Sequence, residues 1–207
     1  MSRLSPAQLN RDRLVDHARR LFAQRGYADV SVDEIAAAAE LTKGAVYYQF
    51  KDKTDLFRAA CEAVLDDIAR QVADARQVLA TPELDELGTG GGRLFDAYDS
   101  QEARRLLLID GPSVLGFQNW MRMQERASIC VISSGLEPWV DAGLVPADQA
   151  PVLAHMMFGA FIQGALRIAS SDDPALADRE VRAAGELLVH NFARGLLAQA
   201  GRRVEVE

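Results

Sequence analysis

The residue types that could carry chemistry are concentrated between Thr42 and Lys53. A spacing of four residues places Val46 and Phe50 on the inward face of a short helix. The residues left facing outward are Lys43, Tyr47, Tyr48 and Gln49. Exposed aromatic side chains beside a lysine are unfavourable on a plain surface, so this pattern favours a binding surface. The alternative is that the tyrosines pack against a neighbouring helix, as half-buried tyrosines often do.

Patterns typical of enzymes are incomplete in this chain. The serine of Gly111-Pro112-Ser113 lacks the G-x-S-x-G context, and no predicted strand precedes it. The glycine run at residues 88–92 lacks the G-K-[ST] ending of a phosphate-binding loop. The histidines are scattered and form no i, i+4 metal pair: His17, His155 and His190. An enzyme is the main rival class of function, but we expect no catalysis, no cofactor and no metal site.

Short helices must position the outward residues. The first carries an apolar stripe made of Leu14, Ala18, Leu21 and Phe22. Gly26 is a typical C′ residue for this helix, and Ser31 and Glu34 form the S-x-x-E capping box of a second one. Thr42 is a good N-cap for the third helix, and Asp52 can cap a fourth. This order is a helix-turn-helix arrangement, in which one helix enters the major groove and the preceding helix braces it on the backbone.

The stretch SVDEIAAAAELTKGAVYYQFKDKTDLF, residues 31–57, resembles the signature of the tetracycline-repressor (TetR) family of regulators. The resemblance is densest over residues 9–60 and implies a role for each matching residue. Phosphate contacts would come from Thr42, Tyr48 and Lys53, and base edges would be approached by Lys43, Ala45 and Tyr47. Ser31 would anchor the second helix on the DNA backbone, and Gly44 would let the third helix lie close to the DNA.

Two positions depart from the family pattern. Glu40 stands where a turn glycine is usual, and a left-handed conformation there would cost on the order of 1 kcal/mol. Gln49 stands where histidine is frequent, which changes a possible phosphate or base donor and could alter the operator sequence. The arginines of the first helix are expected to form a solvated face rather than specific contacts: Arg11, Arg19 and Arg20.

The charge distribution agrees with a phosphate-facing surface in the N-terminal part of the chain. The net charge is −7, but residues 1–60 hold ten basic and eight acidic side chains against 13 and 22 in the remainder. Local positive charge is what a phosphate-facing surface needs. The two cysteines, Cys61 and Cys130, lie far apart, and the N-terminus lacks a signal-peptide core. We therefore expect a cytoplasmic protein, and the apolar stretch 152–169 is interpreted as a buried or interface helix, not a membrane span.

The pattern predicts an all-α fold with two domains. A three-helix helix-turn-helix domain at residues 1–53 is followed by a larger helical ligand-binding and dimerisation domain at residues 54–207. The fourth helix carries its apolar face on Phe57, Val64, Ile68, Val72, Ala75 and Leu79. A loop is predicted at residues 81–92, and later helices at about 93–109, 113–141, 149–170 and 175–199.

The resemblance implies a homodimer through the two C-terminal helices, bound to a palindromic operator. Small residues such as Gly159 and Gly164 would allow these helices to approach closely. A cluster of aromatic residues and methionines in the C-terminal part predicts either an ordinary core or a pocket for a small hydrophobic effector. The predicted lining residues are Phe117, Trp120, Met121 and Phe158, with His155 and Gln163 as polar contacts. The functional hypothesis is a repressor released by its ligand, and the second rival is a helical binding protein that no longer binds DNA.

Overall fold

The computed structural model describes residues 5–76 and 95–204, and these residues form helices and turns with no strand among them. The α-helices are α1 (Pro6–Arg25), α2 (Val32–Ala38), α3 (Lys43–Gln49), α4 (Lys53–Arg76), α5 (Gln101–Ala103), α6 (Gly111–Leu115), α7 (Phe117–Asp141), α8 (Ala150–Ala169) and α9 (Pro174–Val204). A π-helical segment, Arg104–Asp110, follows α5, and residues 95–98 are also helical. The predicted all-α fold is confirmed. The loop predicted at residues 81–92 and the side chains of Ala75 and Leu79 lie outside the described residues.

The caps predicted for the first four helices are all present. Gly26 ends α1 with φ of 82°, a conformation that favours glycine. Ser31 and Glu34 form the capping box of α2, with the Glu34 amide donating to Ser31 Oγ at 3.2 Å. Thr42 Oγ1 caps α3, and the amide of Asp55 donates to Asp52 Oδ1 at 2.8 Å at the start of α4. Local sequence therefore determines where each of these helices begins or ends.

The chain divides into two compact units. The first contains the chain up to Asp67 together with Ser100–Met123, and the second contains Ile68–Asp99 and Gln124–Glu207. The boundary predicted at residue 53 divides the chain by function and stays a prediction. The compact units do not test it, because α1–α3 and the first part of α4 belong to the same unit.

The first unit has an aromatic centre where α1 meets α4. Phe57 lies edge-on to both Phe22 and Tyr27, with ring centroids 5.2 and 5.1 Å apart. In the predicted apolar stripe of α1, Leu14, Ala18 and Phe22 are each 0% exposed, and Leu21 is half-buried. Aromatic contacts of this geometry contribute about 0.5–1.5 kcal/mol each beyond the area they bury.

Residues 99–123 depart from the predicted helices. The helix expected over 93–109 is interrupted at Asp99, because Ser100 caps a new helix by accepting from the Ala103 amide at 3.1 Å. The helix expected over 113–141 begins only at Phe117, since Gly116 has φ of 75°. Both predicted spans were therefore wrong in length, and the structure places the π-helical segment and α6 between them.

The second unit is formed largely by α7, α8 and α9. Trp139 packs with Val145 and Ala193 in a small buried cluster. Tyr98 is buried, and its hydroxyl donates to the buried Gln124 at 2.6 Å. Helix α8 is long and apolar enough to cross a membrane by length and composition alone, with a mean hydropathy of 1.4 and 33% of that window buried. A helix that covers a core or an interface passes the same test.

Candidate nucleic-acid interface

Helix α3 turns two tyrosines to the outside. Tyr48 is 82% exposed and Tyr47 is 51% exposed, whereas Val46 and Phe50 are 1% and 3% exposed. The predicted orientation of this helix is confirmed. Tyr48 is too exposed for the packing alternative, so its phenol is available to a partner outside the chain.

The N-terminal turn of α3 presents small and polar groups. Thr42 Oγ1 accepts from the Ala45 amide at 3.1 Å, and its hydroxyl proton stays available to an acceptor such as a phosphate oxygen. Gly44 is exposed, and an added Cβ would meet only Thr42 Oγ1, at an ordinary 3.7 Å. Packing within the chain therefore does not demand a glycine at residue 44.

Lys43 is paired with an acidic residue of α2. Its ammonium donates to Asp33 Oδ2 at 2.8 Å, and both side chains are more than half exposed. The hydrogen bond with Asp33 raises the pKa of Lys43, which therefore stays protonated. Two of the three N–H donors of Lys43 remain, so a base edge or phosphate can share the ammonium with Asp33 or replace Asp33 as its acceptor. Sequence reasoning missed this partner, which is ten positions away in another helix.

The first turn of α2 carries a second carboxylate, Glu34, beside Asp33. Glu34 accepts from Arg25 Nη1 at 2.6 Å and from the Ser31 amide at 2.8 Å. The Arg25 contact, followed by the bonds from Ser31, lowers the pKa of Glu34 to about 2. The Ser31 hydroxyl donates to the same carboxylate at 2.8 Å, so a phosphate contact from Ser31 requires this hydroxyl to rotate.

Lys53 lies over the ring of Tyr27, with Nζ 4.2 Å from the centroid. Partial burial lowers the pKa of Lys53, while the ring face attracts its charge. The Tyr27 hydroxyl is itself 2.9 Å from Thr54 Oγ1. Tyr27 thus holds the lysine at the start of α4, the position from which the resemblance predicts a phosphate contact.

Glu40, which replaces the usual turn glycine, has φ of 54°. The left-handed conformation expected from the sequence is confirmed. Its carboxylate accepts from Arg13 Nη2 at 3.3 Å, an exposed pair of the kind that contributes about 0–1 kcal/mol. The ion pair with Arg13 therefore offsets at most part of the backbone strain at Glu40.

Gln49 is directed toward its own chain. Its Nε2 donates to the carbonyl of Ala7 at 3.1 Å, and the Arg11 guanidinium lies 5.1 Å from the ring centroid of Phe50 next to it. These contacts attach the end of α3 to the first turns of α1. The side-chain amide of Gln49, which stands where histidine is frequent in the family, thus donates to an acceptor within the chain.

The expectation that Arg19 belongs to a solvated face was wrong. Its side chain is only 17% exposed and pairs with both Glu102 and Asp67. Hydrogen bonding to Glu102 raises the pKa of Arg19. A helical pattern cannot reveal such a site, because its acidic partners lie far along the chain. Arg20, in contrast, is exposed as expected.

A second long-range contact holds the loop between α1 and α2. The Tyr27 amide donates to Asp110 Oδ2 at 2.8 Å, and Arg105 Nε donates to the same oxygen at 3.2 Å. An added Cβ at Gly26 would lie only 2.0 Å from Arg105 Nη2. Gly26 is therefore favoured by its φ of 82°, whereas this guanidinium, at the end of a flexible side chain, can move away from an added Cβ.

The predicted effector residues are divided between the two units. Trp120 is fully buried in the first unit, where its indole N–H donates to the Leu107 carbonyl, and Phe117 is 58% exposed. Met121 belongs to the same unit and is half-buried. In the second unit, Phe158 is buried and His155 is exposed with Nε2 3.1 Å from Glu125.

A cavity of about 630 Å³ lies within the second unit. Of the six predicted residues, Gln163 is the one found in the described lining. Its apolar lining includes Phe95, Ile132, Met156, Ala160, Phe161, Leu188 and Phe192. Among the described residues, no group of three His, Cys, Asp or Glu side chains could hold a metal ion. The predicted close approach holds at Gly164, where an added Cβ would lie 2.8 Å from Val181 Cγ1, but not within this chain at Gly159, where nothing lies within 4 Å of an added Cβ.

Comparison with known proteins agrees with the surface geometry. The model described as "Bacterial regulatory proteins, tetR family" matches residues 14–60, and the model described as "Tetracyclin repressor-like, C-terminal domain" matches residues 93–192. The chain is 30% identical over 165 residues to the HTH-type transcriptional regulator AcrR of Shigella flexneri, covering 76% of this chain and 77% of the relative. It is 26% identical over 166 residues to the HTH-type transcriptional repressor DhaR of Mycobacterium sp. (strain GP1), covering 75% and 80%.

A solved structure gives the same assignment over nearly the whole chain. A TetR-family transcriptional regulator from Pectobacterium atrosepticum superposes with a TM-score of 0.77 at 26% identity, covering 90% of this chain and 95% of that one. Family models for both parts of the chain and a relative aligned over three quarters of it agree with this fold. The chain belongs to the TetR family of transcriptional regulators.

Proposed function

We propose that this regulator is a cytoplasmic, dimeric repressor that binds a palindromic operator and is released from it by a small hydrophobic molecule. The observation that carries the DNA-binding part is the outward face of α3, where Tyr48 is 82% exposed beside Tyr47 and Lys43. The sign of regulation rests on analogy with DhaR, whose name describes it as a repressor.

The proposed contacts follow the surface described above. Thr42, Tyr48 and Lys53 contact phosphates, and Lys43, Ala45 and Tyr47 approach base edges in the major groove. Gly44 and Ser31 complete the surface by close approach and by anchoring α2. The Gln49 amide is assigned instead to holding α3 on α1, because its Nε2 already donates to Ala7.

Dimerisation is proposed through α8 and α9. Both helices expose large apolar side chains outside the cavity lining: Val152 of α8 and Leu187 of α9 are 63% and 64% exposed. An apolar surface of this kind is typical of a protein interface. A two-fold dimer would match half-sites about one helical turn of DNA apart. A monomeric mass in sedimentation at micromolar concentration would contradict this part of the proposal.

The effector site is proposed to be the cavity of the second unit. Its volume of about 630 Å³ falls in the range of about 300–1,000 Å³ typical of small-molecule sites. Phenylalanine and methionine side chains line it, and Gln163 supplies a carboxamide for one directional hydrogen bond. Helix α4 runs from the first unit into the second, so the chain itself offers a route by which an effector could bias DNA binding.

The DNA-binding proposal is tested by selecting duplexes from a random library and measuring affinity against salt concentration. Enrichment of a palindrome whose affinity falls steeply with salt supports it. Tyr48→Phe should then weaken operator binding by about tenfold or more, since a hydrogen bond to a charged group contributes about 1.5–3 kcal/mol. Tyr27→Phe is the matched control, because its hydroxyl contacts Thr54 within the chain. No enrichment by a folded, dimeric protein would favour the helical binding protein that no longer binds DNA.

The effector proposal is tested with a panel of uncharged aromatic compounds and the selected duplex. Release of the duplex by a panel member should be lost in Ala160→Phe, which places a large ring in the cavity. Because Ala160 lies on α8, sedimentation must show that this variant is still dimeric. Ala147→Phe adds the same ring at an exposed position and should leave release unchanged. Equal release by both variants would contradict the assignment of this cavity.

A further inference from the structure

We propose that Asp33 is a specificity-determining residue: it holds the Lys43 ammonium and offsets its charge toward DNA that lacks a correctly placed acceptor. The inference rests on the proposed binding of an operator by α3. It concerns a residue that the family pattern gives no contact to DNA, and it accounts for an acidic side chain beside a DNA-reading lysine.

The ion pair between Asp33 and Lys43 is positioned by two helices and stays exposed. Asp33 lies in the first turn of α2, and Lys43 is the first residue of α3. The intervening turn is held by the Leu41 amide donating to Ala36 at 2.9 Å and by Ala39, which is 0% exposed. The two side chains therefore start from fixed positions and meet at 2.8 Å on the surface, where a nucleic acid can compete for the lysine.

Of the two carboxylates in the first turn of α2, Asp33 is the one that pairs with Lys43. Glu34, the other carboxylate in the first turn of α2, is engaged by Arg25 at 2.6 Å and by the Ser31 amide. Arg13 is likewise engaged by Glu40 at 3.3 Å. Several cations of this helix-turn-helix are thus already paired with carboxylates, which reduces the free positive charge offered to any phosphate backbone.

Selectivity follows from a competition for the Lys43 ammonium. At the correct sequence, a suitably placed base acceptor would take a remaining N–H donor of Lys43 or replace Asp33, so that a charge-assisted hydrogen bond to the base forms. At other sequences no such acceptor is in place, so Lys43 stays paired with Asp33, which offsets its attraction for nearby phosphates. An acidic partner that weakens mainly the non-specific attraction raises the ratio of specific to non-specific affinity.

The test compares Asp33→Asn with the unsubstituted protein on the library-selected duplex and on a scrambled duplex of equal length, over a series of salt concentrations. We expect affinity for the scrambled duplex to rise about threefold to tenfold, and its salt dependence to steepen by about one phosphate contact. Affinity for the selected duplex should change less, so that the specificity ratio falls at least about threefold. Asp33→Glu keeps the charge and should restore most of the ratio, and circular dichroism verifies that each variant is folded.

Two controls distinguish this role of Asp33 from a general effect of the protein's net charge. Asp148→Asn makes the same change in net charge at an exposed site of the second unit and should leave the specificity ratio unchanged. In a Lys43→Gln background, Asp33→Asn should no longer alter the ratio, because the residue acts through Lys43.

The outcomes distinguish this inference from the proposed function. An equal gain on both duplexes, an effect matched by Asp148→Asn, or an effect that persists without Lys43 would overturn the role of Asp33 alone. If the unsubstituted protein prefers no duplex, the proposed function fails, and the specificity role fails with it.

Discussion

Arg19 and Glu102, 83 residues apart in sequence, meet in a two-point ion pair. Arg19 Nε donates to Oε1 at 2.9 Å and Nη2 donates to Oε2 at 2.8 Å. Arg19 Nη2 is also 2.7 Å from Asp67, so one guanidinium joins α1, α4 and α5. The planar fork of arginine fits this arrangement, whereas a lysine would satisfy only part of it.

Arg19→Gln should therefore lower the free energy of unfolding by about 1–3 kcal/mol, because it removes a shared cation from two partly buried carboxylates. Urea denaturation followed by circular dichroism measures this change. Arg20→Gln removes the same charge from an exposed neighbouring position and should stay within about 0.5 kcal/mol of the unsubstituted protein. Equal losses in the two variants would show that the ion pair contributes nothing specific.

The turn before α3 offers a test of backbone strain at Glu40. Glu40→Ala loses the Arg13 pair but keeps the positive φ, so it should be less stable by up to about 1 kcal/mol. Glu40→Gly loses the same pair and relieves the strain, so it should be more stable than the alanine variant by about 1 kcal/mol. Thermal denaturation of the two variants gives this difference directly. An alanine variant as stable as the glycine variant would contradict strain at this residue.

Gln49→Ala should reduce stability more than DNA affinity. The variant loses the hydrogen bond to the Ala7 carbonyl, which contributes about 0.5–1.5 kcal/mol, and operator affinity should change less than about threefold. Gln24→Ala, at an exposed position of α1, is the control for loss of a glutamine. Denaturation and binding to the selected duplex are measured on the same samples. A large loss of affinity without loss of stability would instead assign Gln49 to direct DNA contact, as the sequence pattern predicted.

Glu34 should make stability depend on acid pH. Its pKa in the folded protein is about 2, below the usual 4.5, so the ionised side chain stabilises the folded state above about pH 5. That stabilisation decreases as the pH falls from about 4.5 toward 2, because protons then bind the unfolded state more readily. The difference in unfolding free energy between the protein and Glu34→Gln should accordingly be constant near neutral pH and vanish near pH 2.

The carboxyl resonance of Glu34 in an NMR titration provides an independent measurement. Its midpoint should lie near pH 2 and move upward in Arg25→Gln, since Arg25 is the main cause of the low pKa. A midpoint near the usual value in the unsubstituted protein would contradict the contacts of this carboxylate.

The sequence alone was sufficient for the elements of the first unit that depend on local patterns. A capping box, an N-cap threonine and a glycine after α1 each act within about four residues, and all were confirmed. The outward direction of Tyr47 and Tyr48 followed from the spacing of Val46 and Phe50 in the same way. Even the left-handed conformation of Glu40 could be predicted, because the family pattern places a glycine there.

Contacts between distant parts of the chain could not be predicted. Nothing in the spacing of Lys43 indicates Asp33 as its partner, and Gln49 contacts Ala7 across 42 positions. The π-helical segment buries three successive leucines, Leu106, Leu107 and Leu108, which a pattern of period 3.6 does not describe. The cavity combines residues of α7, α8 and α9 with Phe95, so only the packing of these elements determines its lining.

The position of the two tryptophans has a consequence for spectroscopy. The chain contains two, and each compact unit holds one: Trp120 is 0% exposed in the first and Trp139 is 3% exposed in the second. Each indole should therefore emit at short wavelength in the folded protein and shift to the red when its own unit opens. Trp139→Phe leaves an emission signal for the DNA-binding unit alone, and Trp120→Phe leaves one for the unit that contains the cavity. Two coincident red shifts would mean that the protein unfolds as one cooperative body, and two separate midpoints would give the stability of each unit from a single chain.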